Sequence, residues 1–139
     1  MDGYRYTHAR EVEFRDVDAA GHVNNAVYFT YIETARIAYL RDVLGLEAVD
    51  EFAVIVANVN IDFRSPSYFG ERLEVGARVP RIGKKSFVME HEVWADGRLV
   101  AEATSVLVAY DYALGAPVAV PDDWRRKLEA YDARSPAQT

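Results

Sequence analysis

The sequence predicts an α+β fold: a curled antiparallel sheet of about five strands wrapped around one long central helix, with a short helix at the C-terminus. Three observations carry that prediction. From about Asn24 to Leu44 the chain has no Gly or Pro and is rich in Ala, Tyr, Ile and Leu. From Ala53 to Tyr112 apolar and polar residues alternate in successive runs, separated by turn residues. A strand-like segment precedes the helical stretch, so the order is strand, helix, then four strands.

The first strand is read around Glu11-Val12-Glu13-Phe14-Arg15, where the alternation begins. Small residues and two carboxylates in Asp16-Val17-Asp18-Ala19-Ala20-Gly21 interrupt it. In the helical stretch, Val27, Tyr31, Thr34 and Ala38 line one face, and Tyr28, Ile32, Ala35 and Tyr39 another. A helix apolar on most of its circumference must be well buried, so something has to wrap around it. Gly45 suits its C-terminal cap. The strands follow. Ala57–Arg64 alternates throughout and stops at Ser65-Pro66; Leu73, Val75, Ala77 and Val79 form the apolar face of the next run. Phe87, Met89, His91 and Val93 line a further strand, which Asp96-Gly97 joins by a two-residue hairpin to Leu99–Tyr110. Pro121-Asp122-Asp123 opens a short helix running to about Tyr131. A single domain over 1–133 is expected, with a flexible tail at 134–139.

Composition narrows the function. The 139 residues fit one domain, half of them are apolar, and the net charge is −6. An acidic chain offers no broad basic surface, so neither nucleic acid nor an anionic membrane is an expected partner. With no cysteine there is no thiolate nucleophile, disulfide or Cys-based zinc site. The start carries no apolar run, and nowhere do 18 apolar residues follow one another, so a soluble, cytoplasmic domain is expected. No Gly-x-Ser-x-Gly elbow, phosphate-binding glycine loop or dinucleotide fingerprint occurs. His8, His22 and His91 lack metal-ligand spacing, and His91 falls on an apolar face as a core histidine. No metal and no cofactor is expected.

Two layouts accommodate this order of elements. One is a sheet curled around the helix that follows the first strand, the hotdog fold. The other is a cone-shaped roll of the cystatin or nuclear-transport-factor kind, in which helices generally precede the whole sheet. A leading strand favours the hotdog.

Chemistry concentrates in Asp16-Val17-Asp18-Ala19-Ala20-Gly21-His22-Val23-Asn24-Asn25, two carboxylates, an imidazole and two amides directly before an apolar helix. The first turn of a helix carries free N–H groups and a partial positive charge. Such a turn can polarise a carbonyl or hold an oxyanion while a nearby carboxylate acts as base or nucleophile. The plain alternative is that Asp, His and Asn cap the helix and turn the chain.

Asp18-Ala19-Ala20-Gly21-His22-Val23-Asn24-Asn25-Ala26-Val27-Tyr28, continuing to Tyr31-Ile32-Glu33-Thr34-Ala35-Arg36, resembles the 4-hydroxybenzoyl-CoA thioesterase branch of the hotdog superfamily. Its His22-Val23-Asn24-Asn25 portion is also similar to plant-type acyl-carrier-protein thioesterases. Lys84-Lys85-Ser86-Phe87-Val88 with His91 is similar to the basic strand start that meets CoA phosphates in that branch. Together the resemblance spans about residues 8–112. It implies an acyl-CoA thioester hydrolase, with Asp18 as the catalytic carboxylate, either nucleophile or general base for a water. It implies roles for His22 and Asn25 beside it. The chain departs from the family at Ala20, where plant-type enzymes carry an asparagine, and at Asn25, where a bacterial subgroup carries a histidine. Asp16 is expected to hold the turn, and the amides of His22–Asn25, Val23 included, to polarise the thioester carbonyl. Near the positive end of the helix Asp18 should stay ionised. The resemblance also implies a homodimer or homotetramer with active sites between subunits.

Arg78, Arg81, Lys84 and Lys85 put four cations into eight residues with no acid between them. With Ser86 they form the expected grip on the CoA phosphates, since Lys and Arg hold phosphate; a solvated hairpin tip around Gly83 is the alternative. Asn58, Asn60, Asp62 and Arg64 share one face of their strand, either a site wall or subunit interface, or a solvated face. Three rivals to hydrolysis stand beside it: hydration or dehydration of an acyl thioester, a non-catalytic acyl-CoA binding module, and a roll-fold ligand-binding protein.

Overall fold

The computed structural model describes residues 1–133; the tail expected at 134–139 lies outside the described residues. Five strands pair antiparallel throughout in the spatial order β1-β3-β4-β5-β2. They are β1 (Tyr6–Glu11), β2 (Val54–Phe63), β3 (Arg72–Ile82), β4 (Ser86–Ala95) and β5 (Arg98–Asp111). The helix α1 (Val27–Leu44) lies in the curl of the sheet, and α2 (Asp122–Leu128) closes one end. A two-residue strand, β6 (Ala116–Pro117), folds back on the end of β5. This is the hotdog arrangement, with strand first and helix second. Among the described residues no helix is long and apolar enough to cross a membrane.

The first strand lies earlier than the segment read around Glu11–Arg15, which is corrected here. Phe14–Asp16 is a 3-10 turn, and Phe14 is 77% exposed. The alternation of Val12 and Phe14 misled because the real strand turns amphipathic residues inward. Tyr6, His8 and Arg10 face α1, with the Arg10 guanidinium 4.4 Å above the Tyr31 ring and Tyr6 edge-on to Tyr39 at 5.4 Å. Such side chains bury their stems while their polarity hides the pattern.

The helix also starts three residues later than expected from Asn24. The Asn24 side-chain oxygen accepts from the Ala26 N–H at 2.8 Å, and the Val27 N–H donates to the Asn24 carbonyl at 2.9 Å, so 24–26 form the turn that leads in. At the far end Gly45 adopts φ +74° and returns its N–H to the Arg41 carbonyl, the left-handed cap its identity signalled. The Asp96-Gly97 hairpin is equally local: both residues have positive φ, 49° and 79°, as a two-residue primed turn requires.

Two apolar clusters run along α1. The N-terminal one packs Tyr28, Tyr31, Ile32 and Ala35 against Leu73, Val75, Val93 and Val100. The C-terminal one packs Tyr39, Leu40 and Leu44 against Val79, Phe87, Leu107 and Trp124. Between them sit the buried polar residues Arg36, His91 and Ser105. His91 is a core residue, donating from Nδ1 to the Gly76 carbonyl at 3.0 Å. Burial and the neighbouring Arg36 charge push its pKa down to about 3.

Candidate active site

A single antiparallel bridge, Val17 to Val23, closes the loop that carries the polar cluster. Within it the Asp18 N–H donates to the His22 carbonyl at 3.1 Å and the Gly21 N–H to the Asp18 carbonyl at 3.0 Å. Gly21 has φ +88°, a conformation that side chains resist, which is why a glycine stands there. The loop is pinned from below. The Asn24 N–H donates to the Asp16 carbonyl, and the Val23 N–H to the carbonyl of Ser67 in the β2–β3 connection. Ser67 is fully buried and its hydroxyl meets the Tyr28 hydroxyl at 2.5 Å, tying that connection to the start of α1.

The two carboxylates have different surroundings. Asp16 is buried, and its Oδ2 accepts from the Tyr31 hydroxyl at 2.7 Å and the Glu13 N–H at 2.9 Å. It holds the turn, as its position implied. Asp18 is half-buried and is held only at the rim: Oδ1 accepts from the Ala20 N–H at 2.9 Å, Oδ2 from the Asn24 side-chain amide at 3.2 Å. Neither donor is a cation, so the carboxylate is oriented without being neutralised by an ion pair.

Beside this loop opens a pocket of about 280 Å³ lined by His22, Val23, Asn25, Tyr28, Phe63 and Arg64. The structure thus gathers three of the predicted residues on one wall, with Asp18 joined to that wall through Asn24. The amide groups at the loop divide unequally. Those of Val23, Asn24 and Ala26 are already donated to Ser67, Asp16 and Asn24. The N–H groups of His22 and Asn25 have no acceptor among the described residues. Val23, expected as a carbonyl-polarising amide, lines the pocket with its N–H donated to the Ser67 carbonyl at 2.9 Å.

The basic cluster lies at the opposite end of the molecule. The β1–β3 register sets Glu11 against Arg72, so the Asp18 loop sits at the start of β3, while Arg81, Lys84, Lys85 and Ser86 sit at or past its end. Eleven residues of strand separate the ends by roughly 30 Å. Arg81, Lys84 and Lys85 are exposed and have no ion-pair partner among the described residues. Arg78 does not belong with them. It pairs with Glu90 at 2.8 Å across the sheet and stacks on Tyr4. Its place is taken by Arg125 of α2, whose guanidinium donates to the Gly83 carbonyl at 2.7 Å. Sequence separation concealed Arg125, and Asn24 was overshadowed by its neighbour Asn25, although Asn-before-helix was the signal for its capping bond.

Residues 12–128 match the family described as the thioesterase-like superfamily. The chain belongs to that superfamily. It is 29% identical over 123 residues to the long-chain acyl-CoA thioesterase FadM of Escherichia coli, covering 81% of this chain and 89% of the relative. It is 28% identical to a 1,4-dihydroxy-2-naphthoyl-CoA hydrolase of Nostoc punctiforme, covering 89% of this chain and 86% of that one. A thioesterase from Thermus thermophilus, solved in complex with coenzyme A and Zn, superposes with a TM-score of 0.88 at 35% identity. That superposition covers 96% of this chain and 98% of the other. The superfamily is thus the one whose motif Asp18 to Arg36 resembles, and its thioester-hydrolase class is the one expected from sequence. Among the described residues no group of three His, Asp or Glu could hold a metal ion.

Proposed function

We propose that this protein hydrolyses acyl-CoA thioesters to a carboxylic acid and free CoA, with Asp18 as the catalytic carboxylate. The observation that carries the reading is the pairing of unspent donors with an uncompensated carboxylate: the His22 and Asn25 N–H groups border a pocket whose loop also presents Asp18. The thioester carbonyl enters the pocket with its oxygen toward those two amides. Asp18 either takes a proton from a water that attacks the carbonyl carbon, or attacks it directly to give an acyl anhydride that water then opens. In both routes the oxyanion is held by amides that need not reorganise. The C–S bond breaks, CoA leaves as thiolate, and the acid departs with the oxygen from water. His22 and Val23 shape the wall against which the acyl carbonyl rests.

The active protein is a homodimer, alone or within a tetramer. β2 is a sheet edge of ten residues, mostly exposed, with Ile55, Val56 and Phe63 among its open side chains. Such an edge normally calls for a partner. Phe63 at one end of β2 lines the Asp18-side pocket, while Val54 at the other pairs with Ala109, which donates to the Lys85 carbonyl. An antiparallel pairing of β2 with its own copy reverses these ends, because a two-fold contact is self-complementary. The Asp18 loop of one protomer then faces the Arg81, Lys84, Lys85 and Ser86 tip of its partner, uniting a catalytic and a phosphate-binding end that one subunit keeps roughly 30 Å apart.

Thiol release from a panel of aromatic and aliphatic acyl-CoAs tests the reading, with Asp18→Asn beside the wild type. Release by the wild type and loss of at least about 10²-fold in the variant are expected. A folded wild type that releases no thiol from any thioester overturns hydrolysis, and hydration of an enoyl thioester without thiol release would make it a hydratase.

A further inference from the structure

Arg36 is a core charge that the described residues leave unanswered. It is 5% exposed, its Nε–H has no acceptor among the described residues, and Nη2 reaches the Ser105 hydroxyl only at 3.5 Å. No carboxylate pairs with it among the described residues; Glu33, three residues earlier, is exposed to solvent. His91, in the same layer, is neutral, and its Nε2 is unmet as well. The layer therefore holds a guanidinium, a hydroxyl and a neutral imidazole, with no negative charge to balance them. A cation buried in that state is costly, because nothing replaces its lost hydration. A water there would satisfy the N–H and leave the charge.

The place of this charge ties it to the candidate site. On α1, Tyr28, Ile32 and Arg36 follow at four-residue intervals. Arg36 therefore lies two turns, about 12 Å, along the helix from the Tyr28 that lines the Asp18-side pocket. On the sheet, Phe63 of the same pocket pairs with Ala101, Ile61 with Ala103 and Val59 with Ser105, a descent of roughly 13 Å. Both walls end at the Arg36–Ser105 contact. The seam between them carries only small side chains on β5 and stays partly open along β2, where Phe63 is 42% exposed and Ile61 and Val59 are half-buried. It is apolar from the pocket down to Arg36. We propose that the far end of the acyl group reaches Arg36 along this seam, and that the preferred acyl group ends there in a carboxylate, as in a dicarboxylic acid of medium length held as a thioester at one end. A carboxylate brings the charge and the acceptor that the layer lacks, and its bond to a guanidinium is among the strong ones. A methyl end brings neither. The inference rests on the acyl-CoA reading and gives it a substrate class.

Thiol release from paired acyl-CoAs of equal length tests it: octanedioyl-CoA against octanoyl-CoA, with shorter and longer pairs beside them. In kcat/KM the wild type should favour the carboxylate-ended partner by at least about tenfold, the ordinary scale of a hydrogen bond to a charged group. Arg36→Met removes the charge and should abolish that preference, while Arg36→Lys should keep part of it. An apolar side chain can replace a buried charge without loss of stability, so thermal melting of Arg36→Met should match or exceed the wild type. Should that variant not fold, competition on the wild type reads the same site: free octanedioate should inhibit at lower concentration than octanoate, and equal inhibition overturns the proposal. A wild type with no preference, or one for the methyl-ended thioester at every length, overturns it even where thioesters are cleaved. A preference that survives Arg36→Met overturns it too, because the carboxylate is then read elsewhere. If no thioester is cleaved, calorimetry separates the two readings. Tighter binding of octanedioyl-CoA than of octanoyl-CoA, lost in Arg36→Met, upholds the carboxylate site and sinks hydrolysis; equal binding sinks both.

Discussion

Asp16 and Asp18 stand two residues apart on the same loop and are given opposite work by what surrounds them. Asp16 is buried and receives a tyrosine hydroxyl from α1 and a backbone N–H from its own turn. Its charge is worth keeping in the interior only because both donors are in place. Asp18 looks outward and receives one loop N–H and one side-chain amide. Those bonds fix its direction at the rim of the loop, where the proposed reaction needs it. The identity of a carboxylate therefore carries little; the donors it meets and the solvent it sees decide between a rivet and a reagent.

The contrast breaks first at Asp18. Asp18→Asn keeps size and hydrogen-bonding reach but removes the proposed base or nucleophile, so kcat/KM for acyl-CoA should fall by about 10²–10⁴-fold while thermal stability stays within about 0.5 kcal/mol of wild type. Equal loss in Asp16→Asn would erase the distinction. Asp16→Ala tests the other half: it strands the Tyr31 hydroxyl in the core and frees the Glu13 N–H. Denaturant unfolding should show a loss of about 2–3 kcal/mol, the scale of a charge-assisted bond with a buried partner left unmet.

How much of this was legible follows the range of each interaction. Asp96-Gly97 and Gly45 announce their turns because backbone conformation is decided within a few residues. The long helix was visible because its composition forces burial whatever covers it. The division between Asp16 and Asp18 was only partly legible: their position before the helix was plain, but the Tyr31 hydroxyl that captures Asp16 comes from a residue whose spacing marked it simply as helix face. β1 was misplaced because Tyr6, His8 and Arg10 bury apolar stems beneath polar labels. Arg125 was invisible at the basic tip, since it arrives from α2, some forty residues beyond Lys84 and Lys85. The spent N–H of Val23 depends on Ser67, equally distant in sequence.

His91 extends the contrast to a buried titratable group whose Nε2 finds no partner among the described residues. Its folded pKa, about 3, lies below the ordinary 6.5, so the imidazole is neutral in the fold and the unfolded chain binds a proton that the native state refuses. Its effect on stability is nil above pH 6.5 and grows as pH falls from there toward about 3. Across that window the wild type should lose up to about 1.4 kcal/mol per pH unit from this residue. Subtracting the unfolding profile of His91→Gln isolates the contribution; parallel profiles would refute it.

The finest test is Asn24, which touches both carboxylates in different ways. Its backbone N–H serves Asp16, its side-chain amide serves Asp18, and its side-chain oxygen caps the Ala26 N–H. Asn24→Ala loses the cap and the amide together, costing about 1 kcal/mol of stability and a modest share of activity. Asn24→Asp keeps the capping oxygen but replaces the donor facing Asp18 with a like charge. It should therefore be the more stable of the two variants and the less active. That crossing of stability and rate is what a split between a structural and a chemical carboxylate demands. If both properties instead fall together through the series, Asn24 supports the loop as a whole and Asp18 has no private dependence on it.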